Sequence, residues 1–218
     1  GQYRELGRLN HPRLTRPQIE FCGIPHRFGL WRGGNSLGKS EGHGWQIIQA
    51  ARKSSPYARN WIGPVEIMVA GYSFAQMDPL LKKLWMLLPK GEIDPKLYYQ
   101  AGNGIRGRKE PTIEFVSGPG AGSVIYLATY KQGSERIMGF QGHQLSFDEP
   151  PPESLYREAL PRLNTKSGNL RITMTPTPDS PPLEYMKKEV DEGRLWEMQT
   201  SYTQEAITIH GGLVPWAW

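Results

Sequence analysis

Cysteine is almost absent from this chain: Cys22 is the only one in 218 residues, which excludes an internal disulfide framework and suits a reducing cytoplasm. No apolar run approaches the roughly 20 residues of a membrane-spanning helix. No basic-then-apolar N-terminal segment reads as a secretion signal. Paired metal-ligand spacing is missing too. The five histidines (His11, His26, His43, His143, His210) are scattered, and Cys22 and His26 are separated by Pro25 with no second pair following, which argues against a zinc site. Internal repeats and low-complexity tracts are lacking. The chain opens on Gly1 rather than methionine, as expected of a processed fragment. Its net charge of +5 is compatible with a polyanionic partner without naming one. A chain of this length holds one substantial core and not two full-sized domains.

The stretch Arg32-Gly33-Gly34-Asn35-Ser36-Leu37-Gly38-Lys39-Ser40 carries the pattern G-x-x-x-x-G-K-S, with Gly33, Gly38, Lys39 and Ser40 in its defining positions. Glycines let the backbone N–H groups converge on a polyphosphate; the lysine reaches the β and γ phosphates, and the serine hydroxyl is a ligand for Mg²⁺. The flanks supply the context that the motif needs. Phe28–Trp31 reads as a short apolar strand. Ser40–Lys53, with Trp45, Ile47, Ile48 and Ala51, reads as an amphipathic helix whose positive end faces the anion.

Further along, Val65–Ala70 is strand-like and Phe74–Leu88 helical, ended by Pro89 and Gly91. Asn103–Lys109 is a basic, glycine-punctuated loop. Thr112–Val116 and Ser123–Thr129 are strands joined by Ser117–Gly122, a hairpin turn rather than a second nucleotide loop, because no helix follows it. Then come a short segment, Tyr130–Gln141, a strand, Leu145–Phe147, and a helix, Pro152–Leu163. A strand at Leu170–Thr175, a helix at Pro182–Gly193 and a strand at Trp196–Ser201 complete the pattern. Strands alternating with helices predict an α/β domain with a mainly parallel sheet flanked by helices, its ligand at the carboxyl ends of the strands. The expected organisation is an N-terminal arm over 1–27, one domain over 28–205 and a linker over 206–218.

Leu145-Ser146-Phe147-Asp148-Glu149 is an apolar run ending in two carboxylates, the acidic partner that a P-loop requires. Asp148 is placed to contact Mg²⁺ directly or through its water, and Glu149 to orient the attacking water. An acidic residue in that role points to ATP hydrolysis and away from the small GTPases, which use glutamine. Thr173-Met174-Thr175-Pro176 ends the next strand, where Thr175 either senses the γ-phosphate or simply terminates the strand.

In this order the elements resemble the ATPase domain of the large terminase subunit of tailed bacteriophages. Residues 33–40 look like that family's P-loop. Tyr130-Lys131-Gln132-Gly133 and Phe140-Gln141-Gly142 resemble the segment before its Walker B strand, and Phe147-Asp148-Glu149-Pro150-Pro151 its Asp-Glu-Pro ending. The likeness spans about residues 15 to 205. It implies a P-loop ATPase of the RecA-like class and adenine recognition by Gln18 in Pro17-Gln18-Ile19-Glu20-Phe21. It also implies a coupling role for Thr175, with ATP and Mg²⁺ at Gly33, Gly34, Asn35, Ser36, Leu37, Gly38, Lys39, Ser40 and Asp148. Family members work as rings in which a neighbour supplies an arginine, for which Arg136 is the candidate by position. The chain departs from the family in having Asn35 and Ser36 where many members carry a P-loop arginine; its nearest arginine is Arg32. Too few residues follow Thr175 for the family's nuclease domain.

The partners so implied are double-stranded DNA, the procapsid portal and the small terminase subunit, in the cytoplasm of an infected host. Arg106, Arg108 and Lys109 offer sequence-independent phosphate contacts, or else a merely solvated basic loop. Two other readings stay open: a helicase-like nucleic-acid-dependent ATPase fragment, and a non-catalytic, nucleotide-dependent capsid-assembly module.

Overall fold

The structure is a computed structural model that describes residues 14–131, 134–176 and 184–200. Helix α1 (Arg16–Cys22) leads into strand β1 (Phe28–Gly33) and helix α2 (Lys39–Arg52). Strand β2 (Glu66–Gly71) and helix α3 (Asp78–Leu87) follow, then the strands β3 (Tyr98–Gln100), β4 (Gly104–Arg106), β5 (Thr112–Glu114) and β6 (Val124–Thr129). The second half runs α4 (Ser134–Gly139), β7 (Gln144–Asp148), α5 (Glu153–Ala159), β8 (Asn169–Met174), α6 (Glu184–Asp191) and β9 (Trp196–Thr200). Seven strands form one sheet in the order β5-β6-β2-β7-β8-β1-β9, parallel throughout except for β5, which is antiparallel to β6. The mainly parallel α/β architecture expected from the alternation of elements is therefore present, as is the hairpin turn at 117–122. Among the described residues no helix is long and apolar enough to cross a membrane.

Side chains two apart on a strand share a face, and this divides the core in two. Ile67 and Val69 of β2, with Ile125 and Leu127 of β6, pack under α2 and α3 on Ile47, Ile48, Leu80 and Leu84. Met68 and Ala70 face the other way, with Leu145 and Phe147 of β7 and Ile172 and Met174 of β8, toward α5 and α6. The opposite residues of β7 and β8 are polar, and they are buried beneath α2. Gln144 exchanges amide hydrogen bonds with Gln46, and the Arg171 guanidinium donates to the carbonyls of Ile24, His26, Arg27 and Leu170. Helix α2 is thus buried almost along its whole length rather than amphipathic. Its polar residues His43, Gln46 and Arg52 each find a partner, in Thr173, Gln144 and Glu92 respectively.

Several expected boundaries shift for local reasons. Helix α3 begins at Asp78 rather than Phe74, because Pro79 fits a helix's first turn and lacks the N–H that an interior position would donate. The expected helix Pro152–Leu163 is α-helical only to Ala159 and tightens into a 3₁₀ turn over Leu160–Lys166 at Pro161. Part of the supposed N-terminal arm is helix α1, whose Phe21 and Cys22 are fully buried. Part of the supposed basic loop is β4, paired antiparallel with β3. The arm before Leu14, the start of the helix expected at Pro182, Ser201 and the segment 206–218 lie outside the described residues.

Candidate active site

The cleft lies where the sheet topology puts it. β8 sits between β1 and β7, so the loop after β1 and the carboxyl ends of β7 and β8 open onto one cleft of about 1270 Å³. Asn35–Ser40 line one wall, Asp148, Glu149, Thr173 and Thr175 the floor, and Tyr72 with α3 the opposite wall. The glycine loop is held in shape from outside. Gly38 (φ 77°) has the left-handed backbone that glycine adopts without steric cost, and a Cβ there would lie 2.7 Å from the Gln18 amide nitrogen. A Cβ on Gly33 would collide with the Thr200 hydroxyl at 2.4 Å.

Lys39 donates to the carbonyls of Gly33 and Gly34, at 2.7 and 2.6 Å. Burial holds its ammonium below the ordinary lysine value, opposed by the charges of Glu149 and Asp148. Burial, reinforced by Glu149, pushes Asp148 up to about 7, against the Thr173 hydroxyl and Lys39. Glu149 is raised by burial and lowered by Thr175 and Lys39. Its carboxylate accepts the Thr175 N–H on both oxygens, at 3.0 and 3.2 Å. Glu149 has φ 66°, a conformation costly for a residue with a side chain, and its backbone is pinned: its N–H donates to the Thr173 carbonyl and its carbonyl accepts the Tyr130 hydroxyl.

Behind Asp148 runs a buried polar chain. The Thr173 hydroxyl lies 3.4 Å from Asp148 Oδ1 and 3.0 Å from His43 Nδ1. If the threonine donates to the carboxylate, His43 carries its proton on Nδ1. Burial and the Arg171 charge hold His43 at about 3, hence neutral, and among the described residues its Nε2 has no partner.

The structure brings Gly33–Ser40, Asp148, Glu149 and Thr175 together. It does not bring in the others. Both ends of the Gln18 amide are engaged within the protein, with the Thr15 N–H (2.8 Å) and the Gly38 carbonyl (2.9 Å), so Gln18 braces the glycine loop and does not line the cleft. Arg32 points across to β9 in an ion pair with Glu197 at 3.0 Å. Arg136 lies in a separate cavity at the β5–β6 edge, with Arg108 and Lys109. There it pairs with Glu110 at 2.8 Å and stacks over Tyr126. Arg108 is bound by Asp94 and Glu114, and Arg106 lies over the Phe74 ring.

Sequence reasoning missed the roles of Thr173, His43 and Tyr130. Thr173 left a signal, since it stands two residues before Thr175 and so shares its face of the strand. Tyr130 stood in the segment that resembles the family's, without its contact to Glu149 being foreseen. Gln132 and Gly133 lie outside the described residues.

A metal ion fits the donor set. Burial and the neighbouring Glu149 disfavour the charged form of Asp148, which a cation beside it would favour, and Ser40 lines the same cleft. Among the described residues no group of three or more His, Cys, Asp or Glu side chains converges. One carboxylate and one hydroxyl suit Mg²⁺, which takes one or two carboxylates and completes its shell with phosphate and water.

Fold and cleft define an α/β domain of the P-loop class, with a strand inserted between the P-loop strand and the acidic one. Within that class the chain belongs to the family described as terminase large subunit, T4likevirus-type, N-terminal, which matches residues 101–211, a little over half of its length. No curated protein matches significantly. Similar solved structures include the large terminase of a thermophilic bacteriophage (TM-score 0.64, 16% identity, covering 85% of this chain and 45% of that one). Another is the large terminase ATPase domain of Thermus phage P74-26 (0.65, 12%, covering 94% and 87%), and a third the large terminase of bacteriophage HK97 (0.58, 11%, covering 99% and 48%). At these identities the likeness is one of fold. The chain spans less than half the length of the first and third of these terminases.

Proposed function

We propose that the chain is the ATP-hydrolysing motor domain of a terminase large subunit, which drives double-stranded DNA into a procapsid. One observation carries this reading: Lys39, the adjacent Asp148 and Glu149, and Thr175, from three separate stretches of the sequence, line one cleft beside a glycine loop that opens a helix. In that cleft the loop N–H groups and the start of α2 receive the phosphates. Lys39 exchanges the carbonyls of Gly33 and Gly34 for phosphate oxygens. Mg²⁺ arriving with ATP would be held by Ser40 and Asp148 and would neutralise charge on the β and γ phosphates. Glu149 orients a water in line with the γ-phosphate and takes its proton.

Because the Thr175 N–H grips the Glu149 carboxylate, a change in that carboxylate's engagement is felt directly at the end of β8, which gives the coupling role of Thr175 a physical route. A ring neighbour's Arg136 completes the charge stabilisation. Arg106 and Lys109 contact DNA phosphates, and the portal and the small terminase subunit are the assembly partners. Phosphate release with and without duplex DNA tests the reading. Hydrolysis stimulated by duplex and abolished by Lys39→Ala supports it; ATP binding with no hydrolysis under either condition would favour the assembly-module reading instead.

A further inference from the structure

The cleft wall facing the P-loop carries a cation that the proposed mechanism leaves idle. Helix α3 contributes Lys82 and Lys83 to this wall. Lys83 is tied at 3.1 Å to Glu41, in the first turn of α2, which fixes α3 within a side chain's reach of the P-loop helix. The two helices pack tightly: a Cβ added to Gly44 of α2 would meet the Leu84 backbone nitrogen at 3.3 Å. Asp78, the acid at the head of α3, is engaged by the Tyr99 hydroxyl and the Gly102 N–H. Lys82 is different: it is exposed, and among the described residues it forms no ion pair.

The charge balance of the cleft gives Lys82 a task. Glu41 is matched by Lys83, so of the P-loop and its helix only Lys39 faces Asp148 and Glu149, and with Mg²⁺ it would share the charges of an incoming triphosphate. Position says which phosphate. α3 follows β2, and β2 pairs with β7 on the side away from β1, so this wall stands beside Asp148 and Glu149, the residues assigned above to the metal and the attacking water. We propose that Lys82 is a second polyphosphate-binding residue, which contacts the terminal phosphate of ATP from the wall opposite Lys39. The assignment rests on the nucleotide-site reading above. It also gives the cleft a second cation in cis beside Lys39.

The test measures affinity for a non-hydrolysable fluorescent ATP analogue and for ADP, with Mg²⁺, in Lys82→Ala, Lys82→Arg and Lys82→Glu. Lys39→Ala serves as the control for the site as a whole. A charge-assisted contact to phosphate predicts an affinity loss of about tenfold for the ATP analogue in Lys82→Ala, a smaller one for ADP, near-complete rescue by arginine and a larger loss with glutamate. Because the ammonium is exposed, the gap between wild type and Lys82→Ala should narrow as salt is raised. Equal losses for the ATP analogue and ADP, unchanged affinity for both, or a defect confined to duplex binding would each overturn the proposal. If Lys39→Ala also left affinity intact, the nucleotide-site reading itself would fall; if Lys39→Ala abolished binding while Lys82→Ala did not weaken it, only the role of Lys82 would.

Discussion

At the scale of single residues, Glu149 is tightly constrained in the cleft. Its left-handed backbone, its pinned N–H and carbonyl and its doubly engaged carboxylate hold it in one pose. Glu149→Gln keeps shape and an acceptor for the Thr175 N–H but cannot take a proton. Turnover should fall by roughly 10²–10⁴ while ATP affinity changes little, measured by phosphate release and nucleotide titration on the same protein. Asp148 makes a different prediction, in stability. Its folded-state value of about 7 lies above the ordinary 3.8, so between those limits the folded chain retains a proton that the unfolded chain has lost. Stability therefore declines as pH rises through that window and is level above it. His43, held neutral down to about 3, contributes the opposite slope below its ordinary 6.5, so the wild-type profile alone mixes the two. Asp148→Asn isolates the carboxylate. Without Mg²⁺, its melting temperature should rise relative to wild type on going from pH 5 to pH 7.5, and a gap that stays constant would contradict the burial of Asp148.

At the scale of elements, the β3–β4 hairpin and α3 behave as one piece. Asp78 accepts the Tyr99 hydroxyl at 2.8 Å and the Gly102 N–H at 2.7 Å, so the hairpin is fastened to the helix that walls the cleft. The basic residues at the hairpin's end divide accordingly. Both are exposed, but Arg108 is held by two carboxylates that raise it above its usual value, whereas Lys109 forms no ion pair among the described residues. Lys109→Ala should lower the salt dependence of duplex binding by about one unit of slope and leave melting unchanged. Arg108→Ala should lower the melting temperature by leaving Asp94 and Glu114 unmatched, with the smaller effect on DNA; the reverse pattern would return Arg108 to the DNA surface. Both the glycine loop and the Asp148-Glu149 strand end were legible in the sequence, because each rests on contiguous residues whose chemistry is fixed by spacing. The hairpin was not, since three-residue strands are too short to show a period of two. Nor was the burial of Gln18 and His43, which depends on how α1 and β8 meet α2 across the fold.

At the scale of the molecule, the sheet order separates two cavities. The carboxyl ends of β1, β8 and β7 form the cleft, while Arg136 sits at the β5–β6 edge in a cavity that shares no lining residue with it. An arginine so placed can complete a phosphate site only in another copy of the chain, once it has left Glu110. Arg136→Ala should therefore bind ATP normally and, in assembled rings, hydrolyse it slower by on the order of 10³–10⁵, the contribution of an arginine finger. Mixing two inactive proteins, Arg136→Ala and Glu149→Gln, separates a role in trans from one in cis. In a mixed ring a Glu149→Gln subunit lends its intact Arg136 to an Arg136→Ala neighbour whose Glu149 is intact, so phosphate release should reappear on mixing and grow with protein concentration. An arginine acting within its own chain, or outside the chemistry altogether, gives no rescue at any ratio. Measured on rings assembled with duplex DNA, the absence of rescue would remove Arg136 from the mechanism and leave its ion pair with Glu110 as a feature of the sheet edge.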